Sequence, residues 1–174
     1  ELTFHPSPVD LGQLTRSLCN QLQDLADRKG LVVRLELEPD FPLVVEVDRL
    51  RLQQVLTNLL TNAIKYTDEG EVILRVCIED MKSDQITLDI DVVDTGVGLA
   101  AEDIPLVMRE FGRLERQSNS EQNGSGLGLA IVQRLLTAMG TELCVESVLG
   151  QGSRFHFLLK LPALDAECTL RDSK

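Results

Sequence analysis

The stretch NLLTNAIKYT, residues 58–67, has the pattern of an amphipathic helix that two asparagines interrupt. Its apolar residues recur at helical spacing and are Leu59, Leu60, Ala63 and Ile64. Asn58 and Asn62 stand one turn apart, so both lie on one face beside that apolar stripe. Asparagine is unfavourable inside a helix because its amide competes for backbone hydrogen bonds. Two asparagines at this spacing therefore require an explanation beyond helix formation.

The composition limits the classes of function. The chain has 174 residues, of which 43% are hydrophobic, and this is enough for one compact domain with a core. Its formal net charge of −11 argues against a sequence-independent grip on nucleic acid or on an anionic membrane surface. A small anionic ligand is still compatible with this charge if local cations or a metal ion offset the field.

The four cysteines occur without a CxxC pair, which predicts free thiols in a reducing compartment. No apolar run approaches the roughly 20 residues that span a bilayer, and the N-terminus lacks the pattern of a signal peptide.

The periodicity predicts an α+β fold. Helices are predicted over 10–29, 49–66 and 126–139, and strands over 31–38, 43–47, 70–80, 85–94, 142–148 and 153–161. A glycine turn and a short helical stretch follow residue 94, and a polar, irregular segment covers 107–125. This order favours a two-layer sandwich in which helices cover one face of a mixed or antiparallel sheet.

Glycines cluster between these elements, at 94–98 (DTGVG), 123–128 (NGSGLG) and 150–152 (GQG). A glycine-rich turn that opens a helix offers backbone N–H groups to phosphates, although such a loop can also serve only to supply flexible φ angles. The second cluster is neither a dinucleotide fingerprint, whose third glycine would fall on Leu129, nor a P-loop, since no Gly-Lys-Ser/Thr follows.

Asp94 ends an apolar strand, which leaves a carboxylate at the rim of the predicted core. A carboxylate there can accept a hydrogen bond from an exocyclic amine such as that of adenine, while Gly96 and Gly98 let the backbone turn tightly. The alternative is an ordinary aspartate in a turn.

Five segments in order, NLLTNAIKYT, DTGVGL, EFGRLE, GSGLGLAIVQRL and GQGSRFHFLL, resemble the N, G1, F, G2 and G3 boxes of the sensor histidine kinase catalytic domain. That domain belongs to the GHKL ATPase superfamily, together with gyrase-type topoisomerases and mismatch-repair ATPases. The resemblance covers about residues 9–161 and implies the α/β sandwich of the Bergerat fold.

The resemblance also implies a role for the two asparagines. Asn62 would ligate the Mg²⁺ that bridges the ATP phosphates, since an amide oxygen suits that hard ion. Asn58 stands where hydrolysing members of the superfamily carry a glutamate that activates water. An amide cannot take up a proton, which favours phosphoryl transfer over hydrolysis.

The other site residues follow from the same matching. Lys65 and Arg113 would contact the phosphates and act in catalysis, Tyr66 would flank the nucleotide, and Asp94 would bind the adenine amine. The full nucleotide site implied by the resemblance is Asn58, Asn62, Lys65, Tyr66, Asp94, Gly96, Gly98, Arg113, Gly124, Ser125, Gly126, Leu127 and Gly128.

Three features depart from the family pattern. Met108 replaces one of the two phenylalanines of the F box, which predicts altered packing of the ATP lid without loss of binding. Ser125 replaces a commoner threonine. The chain has only two histidines, His5 and His156, and the sequence context of each favours a structural or solvated side chain over a phosphoacceptor.

The expected domain organisation is a linker over 1–9 from a missing dimerisation and phosphoacceptor domain, an ATP-binding domain over 10–161 with its lid at about 104–123, and a tail over 162–174. The expected partners are ATP, Mg²⁺, that upstream domain, and a response regulator or receiver domain, without nucleic acid. We expect a monomeric fragment on the cytoplasmic side of a membrane-anchored sensor, without direct membrane contact. Two alternatives are a degenerate kinase domain that acts as a docking module and a protein-serine kinase of the same superfamily.

Overall fold

The computed structural model describes residues 2–38, 44–109, 127–162 and 164. The helices in these ranges are α1 (Leu11–Asp27), α2 (Arg49–Lys65), α3 (Ile104–Val107) and α4 (Leu127–Ala138). The strands are β1 (Ser7–Asp10), β2 (Val32–Leu37), β3 (Val44–Val47), β4 (Glu71–Met81), β5 (Gln85–Asp94), β6 (Cys144–Val148) and β7 (Gly152–Pro162). Every helix and strand predicted from the sequence is present, and β1 is an addition.

Five strands form one mixed sheet in the order β2-β4-β5-β7-β6. The edge strand β2 runs parallel to β4, whereas the β4–β5, β5–β7 and β6–β7 pairs are antiparallel. The hairpins predicted around 81–84 and 149–152 account for two of these antiparallel pairs. The α+β sandwich with a mixed sheet confirms the predicted fold class.

One face of the sheet carries the core. Leu88, Ile90 and Val92 alternate along β5 and are at most 1% exposed. They belong to one apolar cluster with buried residues of α1, α2 and α4, so the helices cover this face. Helix α2 contributes the widest stripe, consisting of Leu52, Val55, Leu56, Leu59, Leu60, Ala63 and Ile64. This burial holds α2 rigidly against the sheet.

A second sheet pairs β1 antiparallel to β3, with Ser7 opposite Val47. From the family resemblance, residues 1–9 are expected to form a linker, and β1 overlaps the end of that segment. In the structure Val9, Val45 and Val47 are buried in the main core, which explains why this short strand forms.

Asp48 connects the second sheet to α2. Its side chain caps the helix by accepting from the Arg51 N–H at 3.1 Å, and it also accepts from the His5 N–H at 2.8 Å. Burial alone would raise the pKa of this carboxyl, but the His5 and Arg51 N–H groups outweigh burial and lower it. Asp48 therefore remains ionised and connects the start of the chain to the helix that carries Asn58 and Asn62.

The sheet face opposite the helices is covered by charged side chains. The Arg154 guanidinium donates to both carboxylate oxygens of Asp91 at 3.1 Å, and Arg75 lies 3.6 Å from the same carboxylate. These arginines cover Asp91 so that only 3% of the residue is exposed. The ion pairs give this face a polar surface without a second layer of helices.

Cys19, Cys77 and Cys144 are free thiols, as predicted, and burial raises the pKa of Cys19 to about 11. Cys168 lies outside the described residues. In the part of the chain that the structure describes, no helix is long and apolar enough to cross a membrane.

Candidate functional site

Helix α2 presents its two asparagines at the margin of its buried stripe. Asn58 and Asn62 are half-buried, whereas their neighbours Leu59 and Ala63 are 2% and 3% exposed. The apolar stripe fixes the rotation of the helix, and that rotation leaves the amide side chains at the edge of the core. The two asparagines therefore share a partly exposed position that core packing sets.

The start of α4 lies against this margin. A Cβ placed on Gly128, in the first turn of α4, would lie 3.8 Å from the Asn58 side-chain oxygen. The first-turn N–H groups of α4, which have no partner within the helix itself, therefore lie near Asn58 of α2. The structure thus brings Asn58 and Gly128 together.

Lys65 and Tyr66 close the C-terminal end of α2. The Lys65 Nζ lies 5.2 Å from the centre of the Tyr66 ring, within the range of a cation–π contact. Both side chains are half-buried, so each keeps a surface that a ligand can contact.

Lys29 supports the same helix end and was missed in the sequence. Its Nζ donates to the Ile64 and Lys65 carbonyl oxygens at 2.9 and 3.0 Å. A cation at this end satisfies carbonyls that have no partner within the helix. The two segments are 35 residues apart, so no local pattern could have revealed the contact.

The glycine turn after β5 packs directly on the end of α2. The Val97 N–H donates to the Tyr66 carbonyl oxygen at 3.3 Å. A Cβ on Gly96 would collide with that same carbonyl oxygen and lie 2.9 Å from Thr67 Oγ1. Only glycine allows this close approach of the two segments.

Gly98 meets a different neighbour. Its φ is +67°, and a Cβ there would collide with the Val148 carbonyl oxygen at the end of β6. The turn is thus enclosed between the end of α2 and the β6–β7 hairpin. GQG at 150–152 takes part through Gly152, where a Cβ would collide with the Asp94 carbonyl oxygen.

Asp94 lies between these segments and is 6% exposed. Its carboxylate accepts from the Gly96 N–H at 2.9 Å. Burial raises the pKa of Asp94, although the nearby Gly96 and Ser153 N–H groups act in the opposite direction. A carboxylate has about four acceptor positions, so the Gly96 N–H orients the group and leaves acceptor capacity for a ligand.

Threonine and serine side chains hold this arrangement together, and the sequence did not single them out. Thr67 is fully buried and its Oγ1 donates to the Ala63 carbonyl oxygen at 2.8 Å. Thr95 Oγ1 accepts from the Glu71 N–H at 3.1 Å, and Ser147 Oγ accepts from the Leu99 N–H at 2.7 Å. The Thr95 and Ser147 bonds join elements that are distant in the sequence. The Thr67 bond is local, because it reaches back one turn to the end of α2.

Several predicted residues lie outside the described part of the chain, namely Arg113, Gly124, Ser125 and Gly126. Leu127 is described only as the first residue of α4. Of the predicted lid, residues 104–109 are described and include α3. Met108 is half-buried against the core, and its carbonyl oxygen accepts from Gln133 Nε2 at 2.5 Å.

Asn62, the residue predicted to ligate magnesium, is half-buried at the margin of α2. Asn62 offers one amide oxygen, and Mg²⁺ is usually held by one or two protein oxygens together with water and substrate phosphates. Within the described ranges, the one His, Cys, Asp and Glu cluster with ligand-like spacing is Asp89, Asp91 and His156. These side chains alternate with the buried residues of β5 and β7, so they lie on the opposite face of the sheet. The asparagine margin therefore fits an ion that arrives with phosphates.

Comparison with known proteins bears on this geometry. A family model described as "Histidine kinase-, DNA gyrase B-, and HSP90-like ATPase" matches residues 47–163. The sensor protein GacS of Pseudomonas syringae pv. syringae is 39% identical over 162 residues, which are 93% of this chain and 18% of GacS. The sensor histidine kinase RcsC of Salmonella typhimurium (strain LT2) is 38% identical over 173 residues, 99% of this chain and 18% of RcsC. The crystal structure of full-length ShkA in complex with AMPPNP has a TM-score of 0.77 at 31% identity, and the match covers 93% of this chain and 32% of ShkA.

The sandwich with a glycine turn between α2 and the β6–β7 hairpin is the α+β fold of the GHKL ATPases. The chain belongs to the histidine kinase-, DNA gyrase B- and HSP90-like ATPase family. Its resemblance to the catalytic domain of sensor histidine kinases is confirmed by the relatives that it matches. The chain spans 18% of the length of the curated relatives GacS and RcsC.

Proposed function

We propose that this chain is the ATP-binding catalytic domain of a sensor histidine kinase, and that it positions Mg²⁺·ATP for transfer of the γ-phosphoryl group to a histidine on a separate dimerisation domain. The observation that carries the proposal is the buried Asp94 carboxylate, which the Gly96 N–H orients beside the asparagine-bearing helix.

The adenine is bound at Asp94. An ionised carboxylate accepts a hydrogen bond from the exocyclic amine of adenine. Guanine carries a carbonyl oxygen at the same ring position, and the carboxylate would repel that oxygen. Gly96 and Gly98 form the wall of this pocket because the segments behind them leave no room for side chains. Tyr66 flanks the nucleotide from the end of α2.

The phosphates extend toward the meeting point of α2 and α4. Asn62 holds Mg²⁺, which when bound neutralises phosphate charge and favours the in-line geometry of phosphoryl transfer. Lys65 and Arg113 supply positive charge at the phosphates, and the backbone of 124–128 supplies N–H donors. These local cations offset the acidity of the whole chain.

The transfer forms a bond between phosphorus and an imidazole nitrogen while the bond from phosphorus to the β–γ bridging oxygen breaks, and ADP leaves. The lone pair of the neutral imidazole is the nucleophile, so the site needs charge neutralisation more than a strong base. Asn58 cannot accept a proton from water, which favours this transfer over hydrolysis.

We infer that the chain works beside a dimerisation and phosphoacceptor domain and upstream of a response regulator or receiver domain, as a monomeric unit on the cytoplasmic side of a membrane-anchored sensor. A sedimentation experiment tests the monomer, and a dimer at all concentrations would contradict it.

The decisive experiment is calorimetric titration of ATP into the 174-residue chain, with and without Mg²⁺. The Asn62→Ala and Asp94→Asn variants are compared with Asn20→Ala, which changes an exposed residue of α1 as a control. Magnesium-dependent binding that weakens in both site variants and not in the control supports the proposal. No binding in the unmodified chain would favour a docking module.

The acceptor is tested separately. Radiolabelled ATP is mixed with the chain and with either a histidine-bearing dimerisation domain of a related kinase or a serine-bearing protein substrate. Label on the first, stable to base and labile to acid, supports histidine transfer, whereas acid-stable label on the second would favour the protein-serine kinase.

A further inference from the structure

Ser147, in β6, has a hydroxyl group whose bonding capacity is filled. Its Oγ accepts from the Leu99 N–H at 2.7 Å, donates to the Gly152 carbonyl oxygen at 3.0 Å and lies 2.7 Å from Ser153 Oγ. A serine hydroxyl has one proton and two lone pairs. Because the Ser147 proton goes to Gly152, Ser153 must donate the third bond. One side chain thus connects three points on two other segments.

Those two segments are the ones that lie against Asp94. The first is the glycine turn, where Gly96 donates to the Asp94 carboxylate and Leu99 donates to Ser147. The second is the start of β7, where Ser153 pairs with Asp94 in the β5–β7 ladder and the Gly152 carbonyl accepts from Ser147. No hydrogen bond joins Ser147 Oγ directly to the Asp94 carboxylate.

The packing between these segments leaves little tolerance for movement. Side-chain atoms at Gly98 and at Gly152 would collide with the carbonyl oxygens of Val148 and Asp94. Because Asp94 pairs with Ser153 of β7, relative motion of the turn and the hairpin moves the Gly96 N–H donor relative to the Asp94 carboxylate. A hydrogen-bonded bridge between the segments sets their separation.

We propose that Ser147 is a positioning residue for base recognition: its hydroxyl ties the glycine turn to the start of β7, fixes the direction of the Asp94 carboxylate, and so sets the preference for adenine over guanine. This proposal rests on the proposed function of Asp94 as the adenine acceptor. Loss of the hydroxyl leaves the Leu99 N–H and the Gly152 carbonyl without this partner, and the carboxylate loses its fixed direction.

The test compares Ser147→Ala with Ser147→Thr, which keeps a hydroxyl, and with Ser83→Ala in the exposed β4–β5 turn as a control. The Kd values for ATP and GTP are measured calorimetrically in the 174-residue chain with Mg²⁺, and thermal unfolding is followed for each variant. Ser147→Cys gives a near-isosteric second variant with weak hydrogen bonding, in case the alanine variant does not fold.

We expect Ser147→Ala and Ser147→Cys to weaken ATP binding by roughly three- to tenfold, the range of one or two neutral hydrogen bonds, with little change for GTP. The ratio of the two Kd values therefore shrinks, Ser147→Thr restores it, and Ser83→Ala leaves it unchanged. If the Tm falls while the ratio stays at its original value, Ser147 is only structural and the inference is wrong. If the unmodified chain binds neither nucleotide, the proposed function fails together with the inference.

Discussion

The side-chain oxygen of Asn58 on α2 faces Gly128 in the first turn of α4, 3.8 Å from the position that a Cβ would occupy. This relationship joins two segments that lie 70 residues apart in the sequence. The distance is an ordinary van der Waals contact, so no residue in the described part of the chain requires glycine here. We infer that the space beside Asn58 serves the nucleotide rather than the packing of these residues.

Substitution of Gly128 is therefore expected to separate stability from nucleotide binding. Gly128→Ala should raise the free energy of unfolding by up to about 0.5–1 kcal/mol, because glycine is the poorer helix former. It should weaken ATP binding, since the new methyl group occupies the margin where the phosphates are proposed to lie. Urea unfolding and calorimetric titration of one preparation measure both quantities.

Gly12→Ala is the matched control, because Gly12 is likewise the second residue of its helix, α1. The Cβ there would lie 3.0 Å from the flexible end of the Arg16 side chain, which can move away. This variant should gain a similar stability and bind ATP unchanged. Equal ATP affinities for the two variants would show that the space beside Asn58 is not used by the nucleotide.

The buried Asp94 predicts a pH dependence of ATP binding. Its pKa is raised in the folded chain by burial, so acidification protonates it earlier than an ordinary aspartate. ATP affinity should fall as the pH drops through that raised pKa, because a protonated carboxyl group no longer presents the required acceptor. The Kd for ATP is measured by calorimetric titration from pH 7.5 down to about pH 5, an interval that lies above the ordinary aspartate pKa of about 3.9.

The same pKa shift fixes the sign of the effect on stability. The pKa of Asp94 is higher in the folded chain than in the unfolded chain. The protonated carboxyl group therefore contributes stability below the unfolded-state pKa, and this contribution is lost as the pH rises through the folded-state pKa. Asp94→Asn should therefore be at least as stable as the unmodified chain at neutral pH, and its advantage should shrink on acidification. A large loss of stability in this variant at pH 7 would contradict the prediction.

The sequence alone was enough to predict the elements whose apolar pattern runs over many residues. It was also enough to select candidate residues that belong to a motif. The stripe of α2 and the alternation of β5 were both visible, and Asp94 could be placed at the end of its strand. What remained hidden depends on contacts between distant segments. Lys29 at the end of α2 and Ser147 at the glycine turn carry no local signal, because an isolated lysine or serine is usually a solvated residue. β1 was missed because its four residues, SPVD, are too few to show an alternating pattern.

Alanine variants of Gly98 and Gly150 distinguish the stability cost of backbone strain from the cost of a steric collision. Both have positive φ, at +67° and +82°, but only Gly98 has a neighbour that a Cβ would strike, the Val148 carbonyl oxygen. Gly150→Ala should lower the free energy of unfolding by about 1–2 kcal/mol, the cost of a left-handed backbone conformation. Gly98→Ala should cost clearly more, about 3 kcal/mol or above, because the Val148 backbone carbonyl must also shift.

Denaturant unfolding of the two glycine variants checks this difference, and ATP titration extends it. The Gly98 variant should also bind ATP more weakly, since its turn carries the Gly96 N–H that holds Asp94. Equal losses of stability for the two variants would mean that the turn relaxes away from β6 without cost. In that case the close approach of the turn to the hairpin would not matter to the fold.

Asp48 and Asp10 are both N-cap residues, of α2 and α1, and each accepts from the N–H three residues on. Only Asp48 also holds the His5 N–H and is itself buried, with 8% exposed. Asp10→Ala should cost about 1 kcal/mol of stability, the usual value of a cap, and Asp48→Ala about 2–4 kcal/mol, since a second donor loses its partner.

The pKa of Asp48 is lowered in the folded chain, because its N–H donors outweigh the opposing effect of burial. Its contribution is therefore present above the unfolded-state pKa and is lost as the pH falls through the lower folded value. Urea unfolding at pH 7 and at about pH 3, below the ordinary aspartate pKa of about 3.9, should show the gap between the Asp48 variant and the unmodified chain narrowing. A gap of the same size at both values would mean that the carboxylate charge does not stabilise the connection between the start of the chain and the site helix.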